Sequence, residues 1–149
     1  MKFYDTCSLL LKVDDLFSEG KFIISSITLE ELEGIKTSAH KDPETKYKAR
    51  RLLSQLADNT DSYDVWIFRD YMLDPIKEKG FETFNNDLKI LSCAIDYDML
   101  ICPDDTIFVT NDLALYNIAN LFFGNDSIES VKIEDDGYCG YKIVNLDDQ

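Results

Sequence analysis

MKFYDTCSLLLK, residues 1–12, is the stretch on which the fold turns. Lys2 to Tyr4 read as a short strand and Ser8 to Leu11 as the apolar start of a helix, which leaves Asp5 on the turn between two buried elements. A carboxylate there is costly unless something pairs with it, because a charge moved out of water either finds a partner or shifts its pKa. What pairs with Asp5 is the question the rest of the chain must answer.

Outward from this stretch, strand and helix alternate, the pattern of an α/β domain whose parallel sheet is covered on both faces. Strands are expected at Lys2–Tyr4, Phe22–Ser25, Val65–Phe68, Ile107–Thr110 and Val131–Ile133. Helices are expected near Ser8–Phe17, Leu29–Lys36, Pro43–Ala57, Asp87–Met99 and Asp112–Phe122. Gly20, the polar run Asp58–Asp64 and Gly124–Asp126 punctuate them as loops. The tail GYCGYKIVNLDDQ is read as adding an edge hairpin over 137–146. No repeat, low-complexity tract or long linker divides the chain, so residues 1–149 are expected to form one domain with a sheet of four to five strands.

At 149 residues and 45% hydrophobic composition the chain is long enough for a substantial core. No run approaches the ~20 apolar residues of a membrane helix, and Asp5 interrupts the N-terminal apolar stretch too early for a signal peptide. A cytoplasmic protein is expected. Four cysteines (Cys7, Cys93, Cys102, Cys139) show no CxxC pairing, and His40 is the sole histidine, so zinc-finger spacing and HExxH are absent. The thiols are expected reduced and mostly buried, Cys7 among them. The net charge of −14 excludes a general electrostatic grip on nucleic acid. One stretch runs against it: Lys36, Lys41, Lys46, Lys48, Arg50 and Arg51 face only Asp42 and Glu44.

Four acids share one kind of position. In an open α/β sheet, ligands bind beyond the carboxyl ends of the strands, near the point where strand order reverses. Asp5 follows the first strand, and in IFVTNDLALYNIA (107–119) Asp112 opens a helix directly after another. Residues three, four and seven positions along a helix share a face. By that rule Asp112 lies with Leu115, Tyr116 and Ala119, Asp87 with Ile90, Leu91 and Ala94, and Glu31 with Thr28 and Ile35. Glu30 falls on the outward face, and Asp96, about 180° around its helix from Asp87, is expected to be solvated. Each acid alone has a plainer explanation, since first-turn acids complement the helix dipole by about 0.3–1 kcal/mol and Thr28 to Glu31 matches a capping box. Together they would repel one another in a partly desolvated pocket. A divalent cation compensates such a set, and oxygen-only ligation without Cys or His selects a hard ion, Mg²⁺ or Mn²⁺.

Asp5-Thr6 after the first strand, Ile27 to Leu32, Asn86-Asp87 and Val109 to Asp112 together resemble, in order and spacing, the motifs of PIN-domain nucleases, from Met1 to about Asn120. Glu31 to Lys36, followed by Lys48 to Arg51, resembles in particular the PIN domain that accompanies the PhoH-type ATPase, although no GxxxxGK[ST] loop is present. The resemblance implies a three-layer α/β/α sandwich and metal-dependent hydrolysis of phosphodiesters, usually in RNA. It assigns Asp5, Glu31, Asp87 and Asp112 as the metal-holding catalytic residues, with Thr110, Asn111 and Ser8 in support. Where the family commonly has Asn or Ser, two residues after the first Asp, this chain has Cys7. Two-metal hydrolysis, with one ion supplying hydroxide and the other stabilising the leaving oxygen, needs no side-chain nucleophile. Lys36, Lys46 and Arg50 are the candidate contacts to a single-stranded RNA, since the basic stretch begins beside Glu31 and Lys46 and Arg50 share a helix face. A homo-oligomer or an inhibitor protein is the other partner considered.

Two alternatives stand beside this. A phosphoacceptor receiver or haloacid-dehalogenase-type phosphatase also places acids at strand ends, but this chain has one acid after its first strand, Arg69-Asp70 after its third, and no DxD. A scaffold or toxin-like protein would keep the fold and bind metal with little turnover.

Overall fold

Strand β1 (Lys2–Tyr4) is the centre of the sheet in the computed structural model, which describes residues 1–101, 103, 105–124 and 127–129. On one side lie β2 (Phe22–Ser25) and then β3 (Tyr63–Trp66); on the other lie β4 (Ile107–Val109) and then β5 (Ile128–Glu129). All four pairings are parallel, with Lys2 opposite both Phe22 and Ile107. The chain steps outward from β1 to β3, then returns to the far side of β1 for β4. Strand order therefore reverses between β1 and β4, where a crevice opens at the carboxyl ends of the strands.

Among the described residues six α-helices cover the sheet: α1 (Thr6–Leu11), α2 (Ser26–Thr37), α3 (Pro43–Asp58), α4 (Asp74–Glu78), α5 (Asn86–Leu100) and α6 (Leu113–Ala119). Side chains alternate across a strand, so each strand feeds two cores. Tyr4, Phe22, Ile24 and Val109 pack with Leu9, Leu32, Leu52 and Leu56 from α1, α2 and α3. Phe3, Ile23 and Phe108 pack on the opposite face with Ile76, Ile90, Leu91 and Leu115 from α4, α5 and α6. The result is the three-layer α/β/α sandwich.

The boundaries depart from expectation where tertiary contacts override local pattern. α1 begins at Thr6, because Asp5 caps it, and ends at Leu11; a separate 3₁₀ turn follows at Leu16–Glu19. β3 starts two residues early, at Tyr63, whose ring stacks on Phe22 with centroids 5.6 Å apart and whose hydroxyl donates to Leu56 O. Phe68, expected inside that strand, instead gives its N–H to Ser26 Oγ at 3.0 Å. Two short helical segments at Asp70–Leu73 and Asp74–Glu78 were not expected. The fifth strand is Ile128–Glu129, whereas the expected Val131–Ile133 and the hairpin over 137–146 lie outside the described residues. Among the described residues no helix is long and apolar enough to cross a membrane.

Asp96 corrects the simplest helical-wheel reading. It is 6% exposed rather than solvated, and it accepts a hydrogen bond from Trp66 Nε1 at 3.0 Å. Every residue from Ile90 to Tyr97 is buried, so this stretch of α5 has no solvated back face for the 180° rule to point at. The indole of Trp66 also meets Tyr97 edge-on, 5.2 Å between centroids, which ties the edge strand to α5. Removing the acceptor leaves a partly buried N–H unpaired. Asp96→Ala is expected to lose about 1–3 kcal/mol of stability in chemical denaturation, and Asp96→Asn, which keeps an acceptor oxygen, much less; equal losses would refute this role for the bond.

Candidate active site

The backbone of Asp5 continues the sheet one residue beyond β1, its N–H donating to Val109 O at 3.1 Å. Its side chain then turns into the helix, accepting from Ser8 N at 2.9 Å as the N-cap of α1. The Thr110 hydroxyl bonds the same carboxylate, and Thr110 Oγ1 also accepts the N–H of Asp112 at 3.2 Å, so one buried threonine links the acids that follow β1 and β4. Ser8 is fully buried beside Asp5, and its side chain favours the charged form of that carboxylate. Asn111 is buried beside this pair. Asp112 is the N-cap of α6, accepting from Ala114 N at 2.9 Å and Leu115 N at 3.4 Å.

Glu31 reaches the same place from α2. That helix starts at Ser26 with Ser25 as its cap, so Thr28 lies inside the first turn and the capping-box reading of Thr28 to Glu31 does not hold. Thr6 Oγ1 instead donates to Glu31 Oε1 at 2.6 Å and meets Thr28 Oγ1 at 3.2 Å. Asp87 comes from the first turn of α5, whose cap is Asn85. Asp5, Glu31, Asp87 and Asp112 thus line a single cavity of about 640 Å³ at the reversal of strand order. Glu30 is exposed, as its helix face requires, and Asp70, the acid after β3, is exposed and outside the cavity.

Burial and crowding show in the acidities. Asp5, 3% exposed, is pushed up to about 6, by desolvation first, against the Thr110 and Ser8 contacts and with a further push from Asp112. Asp87 is raised to about 7, by desolvation first and then by the charges of Asp5, Asp112 and Glu31. A hydrogen bond with Asp112 also favours the protonated form of Asp87. At neutral pH the site therefore holds a proton that carboxylates in water would release. Among the described residues no three of these groups are drawn tightly enough together to hold a metal ion as they stand.

Several expectations meet the structure differently. Lys36, Lys46 and Arg50 do not line the cavity; Lys36 pairs with Glu33 at 2.9 Å, and Arg50 faces a separate shallow groove with Tyr47 and Arg51. The cationic residue in the lining is Lys41. Cys7, expected as a reduced thiol, is disulfide-bonded and lines the cavity half-buried, while Cys93 is free and buried. Thr6, the hydroxyl that positions Glu31, went unread at the sequence level. Gly34, on the face of α2 that Glu31 and Ile35 share, and Ser38, which follows the helix, also line the cavity and were not singled out.

Two outcomes follow from the charges. A carboxyl whose pKa is raised on folding binds more protons folded than unfolded, so its contribution to stability falls as pH rises from its unfolded value, near 4, to its folded one. Melting in EDTA is expected to be highest near pH 5 and to decline toward pH 7.5 by on the order of a few kcal/mol, with Mn²⁺ restoring stability mainly at the upper end; a flat profile would count against the crowded site. Asp112→Asn keeps the helix cap and removes a charge, so it is expected to melt at or above wild type in EDTA at pH 7.5. Asp112→Ala forfeits the cap as well, worth about 0.5–2 kcal/mol, and should melt below Asp112→Asn.

The family model described as PIN domain matches residues 3–122. Among solved structures, the crystal structure of VapBC2 from Rickettsia felis bound to a DNA fragment from their promoter contains a similar chain, at a TM-score of 0.51 and 20% identity, covering 87% of this chain and 97% of that one. That likeness is one of fold. Comparison with curated proteins gives no match. The family match takes in all four acids and the whole run from β1 through α6, and the chain belongs to the PIN-domain family.

Proposed function

We propose that this protein is a divalent-metal-dependent nuclease, cleaving RNA, with Asp5, Glu31, Asp87 and Asp112 as its catalytic, metal-holding residues. The observation that carries the reading is the convergence of these four carboxylates on one cavity at the carboxyl ends of β1 and β4, in a chain of this family. The donor set is all oxygen, and burial and mutual charge raise the pKa values of two of its members. Such a set fits Mg²⁺ or Mn²⁺, hard ions that take carboxylate ligands and retain water, and its spread suits an ion that keeps part of its hydration. When bound, the metal activates water as the nucleophile and stabilises charge on the departing oxygen.

The protein's own part is positional. Thr110 holds the Asp5 carboxylate and the Asp112 backbone in fixed relation, and Thr6 fixes Glu31. Asp87, whose pKa is raised first by burial and then by the charges of the other three, is the member that would give up a proton when a cation binds. Lys41 at the cavity, with Lys46 and Arg50 further along α3, supplies sequence-independent contacts to a single strand in an otherwise acidic protein. The nearer likeness to the PIN domain of PhoH-type proteins rests on Glu31 to Lys36 and Lys48 to Arg51 alone. We place the protein in the cytoplasm, with a second copy or an inhibitor protein as the accompanying partner; the Cys7 disulfide is the observation that weighs against that compartment.

The test joins binding to turnover. Wild type is expected to take up Mn²⁺ in calorimetric titration and to cleave single-stranded RNA in Mn²⁺ but not in EDTA. Asp5→Asn and Asp112→Asn should lose most of the heat and at least the ~10- to 100-fold that even a ligand's supporting partner is worth, while Glu30→Gln and Asp70→Asn retain both. Equal behaviour of all four variants would refute the assignment, and metal binding without cleavage by wild type would favour the scaffold or toxin-like reading.

A further inference from the structure

The cavity is larger than its acids need. Beyond the four site carboxylates it runs between α1 and the last turns of α2 to the start of α3, where Leu10, Gly34, Ile35, Ser38, Lys41, Asp42 and Thr45 line it. This half differs in chemistry from the first. Leu10 and Ile35 give it apolar walls. Gly34 is exposed at its mouth, and a Cβ built there meets no atom within 4 Å, so a side chain added at this position would project into open space without a clash. At the far end the Ser38 hydroxyl accepts the His40 N–H at 3.1 Å and keeps its own proton to donate. Thr45 gives its hydroxyl proton to Asp42 Oδ2 at 2.8 Å and keeps its lone pairs to accept.

We infer that this half of the cavity is a nucleobase subsite, which receives the base next to the phosphodiester held at the acids and so sets which sequences are cut. The inference rests on the nuclease reading above. Apolar walls suit the faces of a base, a donor and an acceptor at the end suit its polar edge, and Lys41, next to Asp42 at the rim, suits the neighbouring phosphate. The subsite is continuous with the acidic half, so a strand whose phosphate lies at Asp5 and Glu31 has an adjoining base within reach of Gly34, one helical turn further along α2. Water alone gains little from such walls, and a protein side chain would not need the rim cation.

Gly34 makes the inference testable without damage to the fold. It lies within α2, its backbone has no positive φ, and added atoms meet only open space, so Gly34→Ala should melt at or above wild type and Gly34→Leu close to it. Binding of fluorescent, cleavage-resistant single-stranded oligonucleotides of each homopolymer in Mn²⁺, cleavage-site mapping of the oligoribonucleotides in Mn²⁺, and Mn²⁺ calorimetry are measured on wild type and both variants. Gly34→Leu is expected to lose at least about tenfold in affinity for the preferred homopolymer and to level the base preference, with Gly34→Ala intermediate and Mn²⁺ uptake unchanged in both. Lys41→Gln should weaken binding of all homopolymers alike and flatten the salt dependence. Wild-type affinity and an unaltered cleavage pattern in Gly34→Leu would overturn the subsite while leaving the nuclease reading intact. Failure of wild type both to bind and to cleave RNA would overturn that reading, and the subsite with it.

Discussion

Like charge held out of water is the constraint on which this molecule is organised. Four carboxylates line one cavity at the carboxyl ends of two adjacent parallel strands, and burial raises the pKa values of two of them toward neutrality. Such an arrangement opposes folding, so the scaffold around it has to be over-determined. Strand β1 is paired on both sides, Asp5 is anchored by backbone and side chain at once, and Thr110 joins the two central acids through one hydroxyl. The same acids serve as helix caps, at Asp5 and Asp112. Capping and crowding are therefore superimposed: the helix ends hold in place groups that their mutual charge would push apart.

Much of this was legible in the sequence, for a definable reason. Asp5 and Asp112 each follow a short β-branched or aromatic run and precede an apolar helical stripe, and both signals are local. Glu31 and Asp87 were found by helical spacing, which works when one face of a helix is buried and the other wet. The rule fails on α5, buried on all sides through its middle, and Asp96 was misplaced for that reason. It also says nothing of hydroxyls: Thr6 matters because its side chain meets Glu31, twenty-five positions on, and no local pattern announces that contact. The edges of β3 were set by Phe22 and Ser26 across the sheet, contacts equally invisible to a window along the chain.

The basic stretch teaches a related lesson. Composition located a surplus of positive charge between Lys36 and Arg51, but a count of charges does not say where they point. Lys36 is occupied by Glu33, Lys48 by Glu44 and Arg51 by Asp14; of the other three, Lys41 lines the cavity and Lys46 and Arg50 do not. Exposed pairs of this kind contribute little to stability. Their effect is to narrow which cations meet a ligand, and at which end of the cavity.

The strand order also dictates when the site comes into being. The N-terminal ammonium bonds the carbonyl of Asp105, 104 residues away, and β1 pairs with β4 at the same remove. Contacts so distant along the chain close late and slowly, since the loop entropy is spent before the pairing rewards it. A chain made from its N-terminus carries Asp5 and Glu31 long before Asp87 and Asp112 exist, and β1 with β2 cannot assemble the cavity alone. In a growing chain the set of carboxylates is consequently incomplete, and the full set is a property of the finished molecule.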